Sequence, residues 1–258
     1  MKPALFTIIL CRLLLAALPA VADQATVQVG VQHKMRAILM RPDGPGPYPA
    51  ILVLHTSGGL QAADTDFAQR LVQQGYVALV PAFMEAYGLT SRTRAETFTT
   101  DAEPIDADLV ACLDLLSQND KVKGSKLGAV GFSNGGYFAM WLAAVGKVQA
   151  AVGYYGAYSG AGTDRSLGRF RRLFTKASAP VLILHGGSDG TVPVQSAKEL
   201  AAIVAAAGAP VELQIYPSAD HRFDREPASP AAAAAAGDAW TRTLAFLAKT
   251  LQPAAPSH

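Results

Sequence analysis

The sequence has 258 residues, of which 50% are hydrophobic and 16% are charged, and its formal net charge is +2. A disordered chain would contain fewer apolar residues and carry more net charge, and a nucleic-acid-binding protein usually shows a clear basic excess. Two cysteines are too few for a disulfide-rich scaffold. The composition therefore leaves one globular domain near the upper size of a single core, or two small ones.

Residues 1–22 have the layout of a secretory signal. They contain Lys2, an apolar stretch, Pro19 and a final Ala-Val-Ala, which is typical of a cleavage site. The alternative is a membrane anchor, but Arg12 and Pro19 interrupt the apolar run well short of the roughly 20 residues that a spanning helix needs. We therefore expect an exported protein, periplasmic or secreted, with no stable membrane anchor after cleavage. The mature chain would be formally neutral, because Lys2 and Arg12 leave with the signal.

Short apolar runs alternate with amphipathic stretches through the rest of the chain. The predicted strands span residues 25–40 (a strand or a hairpin), 50–54, 77–80, 127–131, 148–153, 180–184 and 211–216. The predicted helices span 67–74, 106–117, 137–145, 194–207 and 231–251, and residues 85–104 are predicted to run irregularly over the surface. This alternation predicts one α/β domain over residues 23–252, with three layers, a mostly parallel sheet and helices on both faces, followed by a tail at 253–258.

No regular element is predicted for residues 157–179. Asp164 lies beside glycines and is interpreted as a solvated turn residue. The basic residues that cluster after it are Arg165, Arg169, Arg171, Arg172 and Lys176. They are interpreted as a solvated loop or cap surface, or else as a surface that attracts anionic substrates.

Cys112 would be the one cysteine of the mature chain. Leu109, Cys112, Leu113 and Leu116 follow helical spacing. Because a free cysteine packs like a small hydrophobic residue, we expect this thiol to be buried.

The strongest functional signal follows the predicted strand at 127–131. Residues Gly131 to Gly135 read G-F-S-N-G, which matches G-x-S-x-G between a predicted strand and a predicted helix. The small flanking residues let strand and helix approach each other, so that the hydroxyl of Ser133 projects above the sheet. The alternative is a plain Gly-rich turn. The context predicts Ser133 as a nucleophile.

A serine hydroxyl needs a base, and the base needs an orienting acid. Asp189 and His221 follow two successive predicted strands, and they come after Ser133 in the order typical of this strand–turn–helix motif. They are therefore predicted as the acid and the base. Asp220 is a poor alternative acid because the side chains of adjacent residues diverge, and Asp164 is interpreted as a turn residue.

Acyl transfer also needs donors for the developing oxyanion. We expect one to be the backbone N–H of Asn134, which follows the nucleophile, and the other to be the N–H of Ser57, in the loop after the strand at 50–54. Thr56 lies beside it. His55 precedes the nucleophile in the chain and ends a buried strand, so a loop-bracing role is expected for it.

These motifs together resemble the dienelactone hydrolase family of the α/β-hydrolase superfamily, over nearly the whole mature chain. The matching segments are 55–60, 74–76 with Pro81, 131–136, the Gly-Tyr-Tyr-Gly at 153–156, Asp189 with residues 192–193, and 221–223. The resemblance implies an α/β-hydrolase fold and a hydrolase with no metal and no organic cofactor. It also implies a small-molecule ester or lactone substrate, and nothing in the sequence indicates a nucleic-acid partner.

Two departures from the family pattern change the expected chemistry. The name-giving enzymes have a cysteine where this chain has Ser133, and a glutamate where Thr56 aligns. Serine requires the base to remove its proton, whereas a thiol can be held as the thiolate. The sequence therefore predicts a serine esterase-like hydrolase of small to medium esters or lactones. A peptidase, a carbohydrate-ester hydrolase and a non-catalytic binding protein of the same fold remain open as alternatives.

The resemblance also implies residues that bind substrate. The family binds the substrate carboxylate through arginines, and Arg225 matches one of them, while Arg92 and Arg94 are candidates for another. Thr56, Tyr155 and Arg225 are the predicted substrate-binding residues. The alternative for Arg225 is membership of a surface ion pair with Asp224 or Glu226, which lie beside it in the sequence.

Overall fold

The computed structural model describes residues 23–159 and 164–251. The signal predicted for 1–22 and the tail predicted for 253–258 lie outside the described residues. The strands are β1 Gln24–Val29, β2 Met35–Met40, β3 Ala50–Leu54, β4 Val77–Pro81, β5 Leu127–Phe132, β6 Ala150–Tyr154, β7 Val181–Gly186 and β8 Val211–Tyr216. The helices are α1 Ala62–Gln73, α2 Phe83–Ala86, α3 Ala102–Gln118, α4 Asn134–Ala144, α5 Asp164–Leu173, α6 Val194–Ala206 and α7 Pro230–Leu251, with a 3₁₀ helix at Arg94–Phe98.

The strands form a single sheet in the order β1-β2-β4-β3-β5-β6-β7-β8. The pairs β1–β2 and β2–β4 are antiparallel, and the strands from β4 through β3 to β8 are parallel. The first expected strand or hairpin is a hairpin. The predicted mostly parallel α/β sheet is confirmed.

The sheet is covered on both faces, as the continuous apolar runs predicted. Leu52 and Leu54 pack into a core with residues of α3, α4, α5 and α6. Ile51 and Val53, which alternate with them along β3, pack into a second core with α1 and α7. Because successive strand side chains point to opposite faces, a strand buried on both sides must be apolar at every position.

Helix α5 is the main departure from the predicted elements. Its apolar positions Leu167 and Phe170 face the core, but basic residues hide this pattern in the sequence. Arg169 is ion-paired with Asp106 of α3 and donates a hydrogen bond to the hydroxyl of Tyr137, 3.1 Å away, so this member of the basic cluster is bound to the core of the protein. Asp164, interpreted as a turn residue, is instead the first residue of the helix.

Cys112 is fully buried within α3, as its spacing predicted. Over the part of the chain that the structure describes, no helix combines the length and the apolar content needed to cross a bilayer.

Candidate active site

Three polar residues follow the carboxyl ends of neighbouring parallel strands. Ser133 directly follows β5, Asp189 lies three residues beyond β7, and His221 lies five residues beyond β8. The carboxyl ends of parallel strands meet at one edge of a sheet, which is where ligands bind in open α/β folds. The topology therefore brings together three residues that are far apart in the sequence.

Ser133 sits on a strained turn between β5 and α4. Its φ is 52° and its ψ −112°, a backbone conformation that L-residues rarely adopt. The flanking glycines are required sterically. A Cβ on Gly131 would lie 2.0 Å from the carbonyl oxygen of Gly135, and a Cβ on Gly135 would lie 2.1 Å from the carbonyl oxygen of Leu54. Only hydrogen at both positions lets α4 start this close to β5 and β3.

A continuous hydrogen-bonded relay joins the three side chains. The hydroxyl of Ser133 lies 3.2 Å from Nε2 of His221, and Nδ1 of His221 lies 2.7 Å from Oδ2 of Asp189. The Asp189 side chain is fully buried, whereas that of His221 is 12% exposed. In this arrangement Nδ1–H donates to the carboxylate and leaves Nε2 free to accept the serine proton.

The surroundings of Asp189 favour its ionised form. Burial would raise the pKa of the carboxyl group, but hydrogen bonds from His185, His221 and the Val192 N–H outweigh it and hold the pKa below the usual range. The backbone N–H groups of Thr191 and Val192 donate to Oδ1 at 2.9 and 2.8 Å. Asp189 therefore presents a fixed negative charge to the imidazole.

His185 is a neighbour of the relay to which the sequence analysis gave no role. Its Nε2–H donates to the carbonyl of Val192 at 3.0 Å and lies 3.3 Å from Oδ2 of Asp189. The signal that could have identified it is its position at the end of β7, four residues before Asp189.

The loop after β3 lies against the nucleophile turn. Ser57 lines the cavity beside Ser133, as does Asn134, the first residue of α4. No described residue accepts a hydrogen bond from the backbone N–H of Ser57 or Asn134. Asn134 starts α4, and the first N–H groups of a helix have no partner within it; Ser57 lies in a loop, where its N–H has no acceptor among the described residues. Both donors are therefore available to a developing oxyanion.

His55 braces this loop. Its ring stacks on Phe83 at 4.1 Å, and its Nδ1–H donates to the carbonyl of Thr56 at 2.7 Å. Complete burial lowers the pKa of the ring. Its own carbonyl accepts the N–H of Gly135 at 3.1 Å, which ties the loop to the start of α4.

A cavity of about 750 Å³ opens above Ser133. Its walls include Thr56 and three arginines, Arg92, Arg94 and Arg222, and no acidic residue of the described chain lines it. Arg222 directly follows the histidine of the relay and was missed by the sequence analysis. Arg222 is ion-paired with Glu226 at 2.9 Å, so the positive charge of the cavity wall comes from Arg92 and Arg94.

Tyr155 and Arg225 were predicted to bind substrate, but the structure places neither of them in the lining of this cavity. Tyr155 is fully buried and its hydroxyl donates to Asp224 at 2.6 Å, while its ring edge packs on His221. Arg225 is ion-paired with Asp64 at 2.6 Å. Neither residue lines the cavity, so substrate contact by Tyr155 and Arg225 stays a prediction. The ion pair of Arg225 is buried and joins it to a distant residue, unlike the surface pair with adjacent carboxylates that was its alternative.

Within 23–159 and 164–251, no three His, Cys, Asp or Glu side chains are grouped so that they could hold a metal ion.

The chain is similar to known proteins over most of its described length. The model of the dienelactone hydrolase family matches residues 35–251. A "Putative carboxymethylenebutenolidase" of Escherichia coli K12 is 31% identical over 222 residues, covering 81% of this chain and 80% of its own length. A "Probable 2-oxo-3-(5-oxofuran-2-ylidene)propanoate lactonase" of Bradyrhizobium sp is 27% identical over 229 residues, covering 86% of this chain and 92% of its own.

Solved structures show the same likeness. The crystal structure of a putative dienelactone hydrolase from Klebsiella pneumoniae has a TM-score of 0.69 and 26% sequence identity, and it covers 88% of this chain and 99% of its own. Since the family model spans nearly all of the described chain, from β2 to the end of α7, this protein belongs to the dienelactone hydrolase family.

Proposed function

We propose that the protein is a serine hydrolase that cleaves small to medium carboxylic esters or lactones through an acyl-enzyme. The observation that carries this proposal is the relay itself, with Ser133 Oγ 3.2 Å from His221 Nε2 and His221 Nδ1 2.7 Å from Asp189 Oδ2, at the wall of an open cavity. These distances match the reach required of a nucleophile, a base and an orienting acid.

In the acylation step, Ser133 Oγ attacks the substrate carbonyl carbon while His221 Nε2 takes the hydroxyl proton. The carbonyl oxygen becomes an oxyanion, which the N–H groups of Ser57 and Asn134 stabilise. Asp189 remains ionised and stabilises the imidazolium that forms.

The imidazolium then returns the proton to the departing alkoxide, and the acyl group stays on Ser133. For a lactone, the released hydroxyl remains part of the same acyl group. In deacylation, His221 takes a proton from water, the hydroxide oxygen attacks the ester carbonyl, and Ser133 leaves with the proton restored. At the end of the cycle Ser133 and His221 are in their starting protonation states.

We propose a preference for substrates that carry a carboxylate. Arg92 and Arg94 line the cavity, and guanidinium groups bind carboxylates through paired hydrogen bonds. Arg222 also lines it but is ion-paired with Glu226. The names of the Escherichia coli and Bradyrhizobium relatives also support a lactone as the substrate class.

We also propose that the protein is exported and cleaved after residue 22, as its first 22 residues suggest. Intact-mass measurement of the protein recovered from the cell envelope or medium tests this. A mass that includes residues 1–22 would contradict it.

The catalytic proposal is tested by hydrolysis of short-chain nitrophenyl esters by wild type and Ser133→Ala. We expect wild-type turnover and covalent labelling by a fluorophosphonate, with neither in the variant. Wild-type turnover no higher than that of Ser133→Ala would sink the proposal. A panel of neutral esters and carboxylate-bearing lactones then tests the substrate class, and equal kcat/KM for both kinds would refute the anionic preference.

A further inference from the structure

We infer that Arg225 is a positioning residue, which holds the oxyanion loop (residues 55–61) and the His221 loop (residues 217–226) in a fixed relation. The inference rests on the catalytic role proposed above for these loops. It gives Arg225 a task different from contact with substrate, and it follows from four contacts around one buried guanidinium.

The first contact is a buried ion pair between distant parts of the chain. Nη2 of Arg225 donates to Oδ1 of Asp64 at 2.6 Å, and the two side chains are 4% and 0% exposed. Asp64 belongs to α1 and Arg225 to the loop after β8. A charge buried to this extent is costly unless its partner is held close, so the pair fixes the distance between the two segments.

The second contact extends from Asp64 to the oxyanion loop. Oδ2 of Asp64 accepts a hydrogen bond from the backbone N–H of Gln61 at 2.8 Å. Gln61 is the last residue of that loop and the N-cap of α1. One carboxylate therefore binds the end of the oxyanion loop with one oxygen and Arg225 with the other.

The third contact extends from Arg225 towards the base. The carboxylate of Asp224 lies 3.8 Å from Nε of Arg225 and accepts the hydroxyl of Tyr155 at 2.6 Å. The ring of Tyr155 packs edge-on against the imidazole of His221, with 4.7 Å between ring centroids. The imidazole is thus supported from behind by a side chain whose far end is anchored on this charge cluster.

The fourth contact lies under the nucleophile. The guanidinium carbon of Arg225 lies 4.2 Å from the centre of the Phe132 ring, and Phe132 directly precedes Ser133. Arg225 therefore touches Phe132, next to the nucleophile, and Asp64, which binds the oxyanion loop. It also lies beside Asp224, which holds the tyrosine behind the base. It does this without lining the catalytic cavity.

Positioning and substrate binding predict different kinetics. If Arg225 held a substrate carboxylate, its loss would raise KM for anionic substrates and spare neutral ones. If it positions the loops, its loss lowers kcat for neutral and anionic substrates by the same factor, because misplacement of reacting groups by about 1 Å can cost about 100-fold.

The test compares Arg225→Met, Asp64→Asn, the double variant and Arg225→Lys, with kcat and KM measured for one neutral and one carboxylate-bearing ester. We expect Arg225→Met to lower kcat at least about tenfold on both esters alike. The double variant should lose no more than the worse single variant, since both changes break one unit. Arg225→Lys, which keeps the charge, should recover part of the loss.

The matched control is Arg242→Gln, which removes an arginine from an exposed ion pair with Asp238. We expect its kinetics to equal those of wild type, because exposed pairs contribute little. A KM increase confined to the anionic ester, or unchanged kcat in folded Arg225→Met, would overturn the inference.

Ser133→Ala in the same assay separates this inference from the catalytic proposal. If wild type is no more active than Ser133→Ala, the proposed function has failed, and the positioning role is judged from the NMR signal of the His221 Nδ1 proton. That signal should shift in Arg225→Met and stay in place in Arg242→Gln. Should Arg225→Met not fold, Tyr155→Phe, which removes only the hydroxyl bond to Asp224, takes its place in both measurements. An unchanged signal in the folded variant overturns the inference.

Discussion

Replacing Gly135 with alanine is expected to impair both stability and activity, because the new methyl group would meet backbone. A Cβ at this position would lie 2.1 Å from the carbonyl oxygen of Leu54 and 2.7 Å from that of His55. Neither atom can rotate away, since both belong to the end of β3 and the start of the oxyanion loop. The β3 end and the start of α4 must therefore separate.

The size of the effect follows from the separation required. To move from 2.1 Å to 3.0 Å, below which Cβ contacts essentially do not occur, the segments must shift by about 1 Å. Overpacking of this kind costs about 1–3 kcal/mol of folding stability. The shift also moves Ser57 relative to Ser133, and loss of one oxyanion donor lowers kcat by about 100- to 1000-fold.

The assay combines thermal unfolding with ester hydrolysis, and Gly237→Ala is the matched control. A Cβ on Gly237, within α7, would meet no atom within 4 Å, so alanine there should stabilise the helix by about 0.5–1 kcal/mol and leave kcat unchanged. For Gly135→Ala we expect a melting temperature lower by about 2–4 °C per kcal/mol lost. Wild-type kcat in Gly135→Ala would refute the steric argument for the nucleophile turn.

Four other outcomes are expected. Asp189→Asn should lower kcat by about 10⁴-fold, and its circular dichroism spectrum should match that of wild type. A decrease in kcat of less than tenfold would exclude the orienting role. Because the pKa of Asp189 is lowered in the folded state, its stability contribution is present above the unfolded pKa of about 3.9 and is lost as the pH falls further. The melting temperature of Asp189→Asn should therefore depend less on pH below about 4 than that of wild type, and parallel curves would contradict this. Asn134→Ala keeps the backbone N–H but loses the side-chain hydrogen bond to Thr97 Oγ1, 3.1 Å away in the 3₁₀ helix that carries Arg94. The change loosens the cavity wall and spares the oxyanion donor, so KM should rise by a larger factor than kcat falls. A larger fall in kcat would contradict this. Burial raises the pKa of the Cys112 thiol, so iodoacetamide at pH 8 should label it only after the protein unfolds. Mass spectrometry measures this labelling. Rapid labelling of the native protein would show that the thiol is accessible.

Local patterns carried enough information for most of the fold. The apolar run of β3 marks a strand buried on both faces, and its predicted bounds are those observed. The G-F-S-N-G turn indicated a strained serine between a strand and a helix, because each small residue is required by contacts within a few positions or with the adjacent strand. Asp189 and His221 were predicted as partners from their positions after successive strands, and they lie 2.7 Å apart as that argument required.

The roles of Arg225 and Tyr155 were decided by tertiary structure alone. Asp64 is far from Arg225 in the sequence, so no local pattern shows that this arginine is bound inside the protein. Helix α5 was missed for a similar reason. Its charged Arg169 is of a type that usually faces solvent, and only the folded structure shows that Asp106 and Tyr137 of other helices bind it.

The sequence by itself thus determined the layered sheet and the three residues of the relay, since strand burial and turn sterics act over a few residues. That Arg225 supports the loops from behind and does not face the cavity depended on its ion pair with Asp64, between segments brought together only by folding. A charged side chain has the same local signature in either place, and only its partner across the fold decides its role.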